Sequence, residues 1–193
     1  MLTPKGEASK SKLLTSAEEL FAQKGFHATT VSQIVKNAGL TQAAFYLYFK
    51  SKDEILQEML AKFEERLLPF TDAGRQAAGK SPEELEAYVI QAFTGLFALL
   101  GQNANLTRIV LLDTEKGISI RDRIVQQICS NMIRNQQAGI VRPDVEPELA
   151  AESVVASVER LIYRYSATGE KDAAELGRQT AKLFLQGILN RRN

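Results

Sequence analysis

The sequence predicts an all-α protein of about nine helices. Apolar residues recur at three- and four-residue spacing along nearly the whole chain, the period of a one-sided helix. No stretch shows the alternation of a half-buried strand. Helix-starting residues precede the apolar runs and glycine often follows them, as caps and stops do.

Residues 1–9, MLTPKGEAS, carry Pro and Gly without an apolar period and are expected to form a mobile arm. The first helix should run from about Lys10 to Gln23, burying Leu13, Leu14, Ala17, Leu20 and Phe21. Lys24 and Gly25 end it, and Phe26 is expected to drop into a small core against Ile34 and Phe49. His27, the only histidine, suits a turn or a phosphate neighbour better than a catalyst.

The second helix has a capping box in Thr30 and Gln33, followed by Val31, Ile34, Val35 and Ala38 on one face. Gly39 supplies the left-handed residue that a helix end commonly needs. Thr41 can cap a third helix whose inward positions are Ala44, Phe45, Phe49 and part of Tyr48, leaving Gln42, Ala43, Tyr46 and Leu47 outward. Two helices joined by a tight glycine turn form the helix-turn-helix pattern, in which the second helix enters the DNA major groove. Alone the pattern is weak, because it also describes any αα-hairpin.

The next segment adds weight. Ser51 and Glu54 have capping-box spacing, which puts Lys52 in the first turn of a fourth helix, where a cation opposes the positive end of the helix dipole. That placement makes sense if an anion visits, and Lys52 with the free amides of the helix end would form a phosphate site. The plainer alternative is a solvated lysine paired with Asp53 or Glu54.

The run GFHATTVSQIVKNAGLTQAAFYLYFKSKDEIL resembles the DNA-binding domain of the TetR family of transcriptional regulators. The likeness covers roughly residues 10–60 and rests on Gly25-Phe26, Thr30, Ile34, Ala38-Gly39, Tyr46, Phe49 and Lys52 in order. It implies an all-helical homodimer whose divergent C-terminal domain binds an inducer. Three positions depart from the family pattern: Ala43 where Gly is frequent, Ala44 where a phosphate-touching Thr is frequent, and Leu47 where an aromatic or His is frequent.

Past this head, the fourth helix should continue to about Phe70 with Ile55, Met59, Leu60, Phe63 and Leu67 inward, mechanically linking head and body. Residues 71–82 are rich in small and turn residues and read as a loop. Ser81, Pro82 and Glu84 start the fifth helix strongly, and its wide apolar surface to about Gly101 suggests a central position. A short sixth helix spans about 103–115, closed by Gly117. A seventh runs from about Ile118 to Gln137, an eighth from Pro147 to about Thr168, and a ninth from Asp172 to about Arg191.

Helices eight and nine carry broader apolar bands than one partner needs, including Val154, Val158, Leu161 and Ile162 in one and Leu183, Phe184, Gly187 and Ile188 in the other. A second copy of the chain is the expected extra partner, joined through a four-helix bundle.

The sequence thus divides into a helix-turn-helix DNA-binding domain over residues 1–53 and a helical ligand-binding and dimerisation domain over residues 54–193. Seven lysines and four acids in the first segment give +3, against −2 for the remainder, a mild basic bias on the head. The expected partners are double-stranded DNA with a palindromic operator, a small-molecule effector and a second identical subunit.

Base readout falls to Gln42, the outward residue able to make a bidentate pair with adenine. Thr41, Tyr46, Tyr48 and Lys52 are expected on phosphates, with Ser32 nearby and Ala43 on the same exposed face. Tyr88, Phe93, Phe97, Ile128 and Met132 should line an internal pocket in the body. Arg108, Glu159 and Tyr163 are its candidate polar groups.

Other chemistry has little support. One Cys and one His cannot build a zinc site, and helical di-metal sites need Glu-x-x-His pairs. No glycine-rich phosphate loop or nucleophile elbow occurs, so neither cofactor nor enzymatic activity is expected. Cys129 reads as a small mid-helix hydrophobe rather than a redox sensor. The apolar run Val89–Leu100 is too short to span a bilayer, and a cytoplasmic location is expected. The combined reading is a ligand-responsive transcriptional regulator, a repressor released from its operator by a small apolar or amphipathic effector. The alternative is a helical interaction protein that keeps the fold without functional DNA recognition.

Overall fold

The computed structural model describes residues 4–102, 104–112, 115–165 and 169–189, and the side chains of all of these except 110–112, 115 and 116. Within them lie nine α-helices and one 3₁₀ turn, and strand-like pairing is limited to a single bridge between Val141 and Leu189. The helices are α1 (Pro4–Lys24), α2 (Val31–Asn37), α3 (Gln42–Tyr46), α4 (Lys52–Thr71), α5 (Pro82–Gln102), α6 (Ala104–Leu112), α7 (Glu115–Gln137), α8 (Pro147–Tyr165) and α9 (Ala173–Ile188). The 3₁₀ turn, Ala73–Gln76, follows α4.

Two boundaries differ from expectation. Helix α1 begins at Pro4, so residues 4–9 are helical rather than an extended arm. Proline suits a first turn because its missing N–H has no intrahelical partner there, Glu7 complements the dipole, and the Ser9 hydroxyl donates back to the Lys5 carbonyl. Gly117, expected to close the sixth helix, lies inside α7 and is buried. A mid-helix glycine costs only about 1 kcal/mol relative to alanine, which packing can offset.

The chain divides into two compact units, residues up to Glu65 with Asn105–Gly117, and Arg66–Ala104 with Ile118 onward. In the first, Leu13 and Ala17 from α1, Ile34 from α2, Phe45 from α3, Phe49, and Ile55, Leu56 and Phe63 from α4 form a core with almost no solvent contact. Polar groups inside it are satisfied. Ser16 donates to the Ile34 carbonyl at 2.8 Å, joining α1 to the last turns of α2. Lys10 and Lys62 both pair with Glu58, at 2.7 and 2.8 Å, and the Lys10 ammonium also lies over the Phe49 ring.

Phe26 does not reach the core as expected. It is half-buried, edge-on to Phe21 at 5.2 Å between centroids, and its face carries the Lys52 ammonium at 4.4 Å. The ring instead closes the corner after α1, between Phe21 and the Lys52 ammonium.

The second unit is organised by α5 and α9, which pack along one another. Their approach is close because Gly177 of α9 sits against Thr94: a Cβ there would overlap the threonine's backbone amide and hydroxyl. Gly95 leaves similar room for the Phe70 ring. Ser81 and Glu84 close the expected capping box at the start of α5, with both reciprocal hydrogen bonds present. Helix α5 as a whole has the length and composition to cross a membrane, unlike its inner apolar run. It packs along α9 and buries Phe97, Leu99 and Leu100.

Helix α7 holds the end of α4 by a polar ladder. Gln127, Asn131 and Asn135 stand one turn apart and donate to the Asp72 carboxylate (from Gln127 and Asn131), the Thr71 carbonyl (from Asn131) and the Gly74 carbonyl (from Asn135). Further along, the Gln136 amide donates to the carbonyls of Arg142 and Val145, fixing the loop that leads to α8.

Candidate nucleic-acid interface

The helix-turn-helix forms as its caps predict. Thr30 accepts from the Gln33 amide while the Gln33 side chain accepts from the Thr30 amide, so α2 starts with a complete capping box. Gly39 takes φ +66°, the left-handed turn that L side chains avoid. The Leu40 amide then donates to the Val35 carbonyl at 2.8 Å and closes the end of α2. Thr41 accepts from the Ala44 amide at 3.1 Å and launches α3.

Helix α3 has only five residues, too few to persist without tertiary support. Its anchor is Phe45, fully buried and stacked obliquely with Phe49. This single inward residue orients the opposite face. Gln42, Ala43, Tyr46 and Leu47 are exposed, together with Thr41 and with Ser32 on α2, while Tyr48 is half-buried. Leu47, 79% exposed beside Tyr46, is an apolar group on that face that sequence reasoning had not assigned a contact. The signal for it was the absence of a polar residue at an outward position.

Lys52, expected on a phosphate, is bound within the head in the structure. Its ammonium donates to the carbonyls of Phe26 at 2.7 Å, Thr29 at 2.9 Å and His27 at 3.2 Å, so all three of its hydrogens are committed within the head. The long stem carries the charge away from the start of α4, where it would oppose the dipole, to the backbone carbonyls of the corner between α1 and α2. At the α4 start, Ser51 caps the Glu54 amide as expected, but the Glu54 carboxylate accepts from the Lys50 amide instead of completing the box.

The residues proposed for the body pocket are less uniform. Phe97 and Met132 are buried, and Tyr88, Phe93, Ile128 and Glu159 half-buried. Phe93 stacks on Phe184 of α9, and the Tyr88 ring carries the Lys80 ammonium. Arg108 is exposed on α6 and belongs to the first compact unit, whereas the others belong to the second. Tyr163 is 63% exposed and does not face inward, because the buried stripe of α8 runs through Val158 and Ile162. The next residue is turned by about 100°.

Glu159 has a neighbour the sequence did not suggest. Arg121 of α7 stands 3.7 Å from it, an ion pair too long for a hydrogen bond, and Arg121 Nε and Glu159 Oε1 are both buried without hydrogen-bond partners. Burial pushes the Glu159 carboxyl above the ordinary range, with the Arg121 charge opposing that shift.

Residues 13–59 match the family model of bacterial regulatory proteins of the tetR family. Over nearly all of its length the chain is 31% identical to YdgC of Bacillus subtilis, described as an uncharacterized HTH-type transcriptional regulator, covering 98% of this chain and 97% of that one. The chain belongs to the TetR family. It is a DNA-binding transcriptional regulator, and its nine described helices are the family's fold. A second relative, the fatty acid metabolism regulator protein of Bacillus subtilis, is 25% identical and covers 93% of this chain and 95% of its own. Among solved structures, the ketosteroid transcriptional regulator KstR2 of Mycobacterium tuberculosis superposes with a TM-score of 0.73 at 23% identity, over 99% of this chain and 98% of that one.

Proposed function

We propose that this TetR-family protein is a repressor that binds a palindromic operator as a homodimer and is released by a small apolar or amphipathic effector. The observation that carries the reading is the outward face of α3, where Thr41, Gln42, Ala43, Tyr46 and Leu47 are exposed on a helix held by its Thr41 cap and one buried anchor. Gln42 reads a base edge, and Leu47 suits contact with a thymine methyl. Ser32, Thr41, Tyr46 and Tyr48 hold phosphates and set the register. Function divides the chain into a DNA head, residues 1–53, and a regulatory body, residues 54–193. The protein acts in the cytoplasm and catalyses no reaction.

The dimer forms through α8 and α9, supported by the exposed Leu149, Tyr163 and Leu183. Gly187, whose surroundings within the chain are open, lies on α9 where a partner helix could approach. The effector occupies the body among Phe93, Phe97, Ile128 and Met132, with Glu159 as a polar contact. Relatives named for fatty acid metabolism and ketosteroids support an apolar effector class.

Gel-shift of the full chain against the DNA upstream of its own gene tests the reading, and no shift at low salt would remove it. Released DNA on addition of a metabolite implies reciprocity: operator must weaken binding of that metabolite by the same factor. Equal calorimetric affinities with and without operator would exclude that compound as the effector.

A further inference from the structure

We propose that Lys52 is a positioning residue for DNA recognition, not a phosphate contact: its ammonium fixes the corner from which the helix-turn-helix starts. The inference rests on the DNA-binding reading above. Three observations lead to it. The ammonium has three hydrogens, and three backbone carbonyls, of Phe26, His27 and Thr29, meet them at 2.7–3.2 Å. The Phe26 ring supplies a fourth side of the site, 4.4 Å from Nζ. The same corner is tied to α1 by buried Thr29, whose hydroxyl donates to the Gly25 carbonyl at 2.9 Å with the Leu20 carbonyl at 3.3 Å.

The topology gives this clamp its consequence. Thr29 directly precedes Thr30, the N-cap of α2, and Lys52 is the first residue of α4. One ammonium therefore joins the two ends of the segment that carries α2, the turn and α3. Helix α3 is short and has a single fully buried anchor, so its direction depends on how that segment is closed. Binding a phosphate would require the ammonium to leave three carbonyls that already satisfy it.

The test uses the full chain as wild type, Lys52→Met and Lys52→Arg. The probes are the duplex that the wild type selects from a randomised library and an unrelated duplex of equal length. Affinities are measured across a salt series at a temperature where each variant keeps its native circular dichroism. Lys52→Met should bind the selected duplex at least about tenfold more weakly, the size of one lost base contact, while its affinity for the unrelated duplex stays the same. Its salt slope should equal that of the wild type. Lys52→Arg should fail to rescue, because a planar guanidinium cannot reproduce three converging N–H bonds from one nitrogen.

A slope reduced by about 0.9 in Lys52→Met and restored in Lys52→Arg would mark a phosphate contact and overturn the proposal. An unchanged ratio of selected to unrelated affinity would also overturn it, leaving a purely structural lysine. If Lys52→Met does not fold, nitrogen-15 NMR of the wild-type ammonium decides. Its signal should be protected from exchange in the free protein and unmoved by the duplex, whereas a signal protected only with DNA refutes the clamp. A wild type that selects no duplex defeats the DNA-binding reading, and the free-protein signal still judges the clamp.

Discussion

The head and the body of this regulator are held together differently. In the head, side chains reach backbone carbonyls around a compact aromatic and aliphatic core: Ser16 on Ile34, Thr29 on Gly25, and Lys52 on three carbonyls of the α1–α2 corner. In the body, helices approach through glycines, at Gly177 and Gly95, and through a side-chain ladder from α7 to the end of α4. The head's recognition surface is thus fixed by contacts made within the head. The body's close crossings and polar ladder are the contacts that any effector-driven rearrangement would have to change.

The largest expected effect tests the crossing. Gly177→Val places a branched side chain where Thr94 offers no room, and its backbone amide cannot move aside. We expect a loss of about 3 kcal/mol or more in thermal or denaturant unfolding, at the upper end for overpacking. Gly187→Ala, whose added Cβ meets nothing within the chain, should cost the fold far less than Gly177→Val, any loss falling on the contact with a partner helix. Equal effects at the two glycines would mean that α5 and α9 are not in close contact.

The ladder gives a smaller effect. Asn131 is buried, and its amide reaches both the Asp72 carboxylate and the Thr71 carbonyl. Asn131→Ala should lower stability by about 1–2 kcal/mol, because Gln127 still serves Asp72 but one set of buried bonds is lost. If the ladder also carries the effector response, the variant will bind DNA normally and respond less to effector. An unaltered response would confine the ladder to a packing role.

These two predictions mark where the sequence was legible. Thr30, Gln33, Gly39 and Thr41 could be read because capping is local: each partner lies within a few residues. Phe45 and Phe49 could be read because helical period fixes which side they face. Lys52 could not, since its carbonyl partners lie 23 to 26 residues away. Sequence spacing points to the nearer helix dipole and says nothing of a distant one. Gly177 was equally silent beside Gly187, because the sequence does not show which glycine another backbone meets. Arg121 and Glu159 meet across two helices separated by a long loop, which no periodicity encodes.

The smallest effect is electrostatic and lies in the first compact unit, where Lys10 of the head meets the start of the body at Glu58. Burial alone would raise the Glu58 carboxyl, but hydrogen bonds and charge from Lys10 and Lys62 outweigh it and hold it below the ordinary carboxylate range. A carboxyl whose pKa is lower folded than unfolded adds stability above its unfolded pKa and loses it as pH falls through the folded one. The melting temperature should therefore fall on acidification below about pH 4.5, and less steeply in Glu58→Gln. Identical acid-side slopes would show that the exposed half of this pair lets solvent cancel it.

The account turns on α3 reading DNA through Gln42. Selection of duplexes from a randomised library by the wild type and by Gln42→Ala measures this directly. We predict that the wild type enriches an inverted repeat, and that Gln42→Ala enriches the same repeat with preference relaxed at one position in each half by about 1–3 kcal/mol. Identical preferences in the two proteins, or no inverted repeat from the wild type, would contradict it.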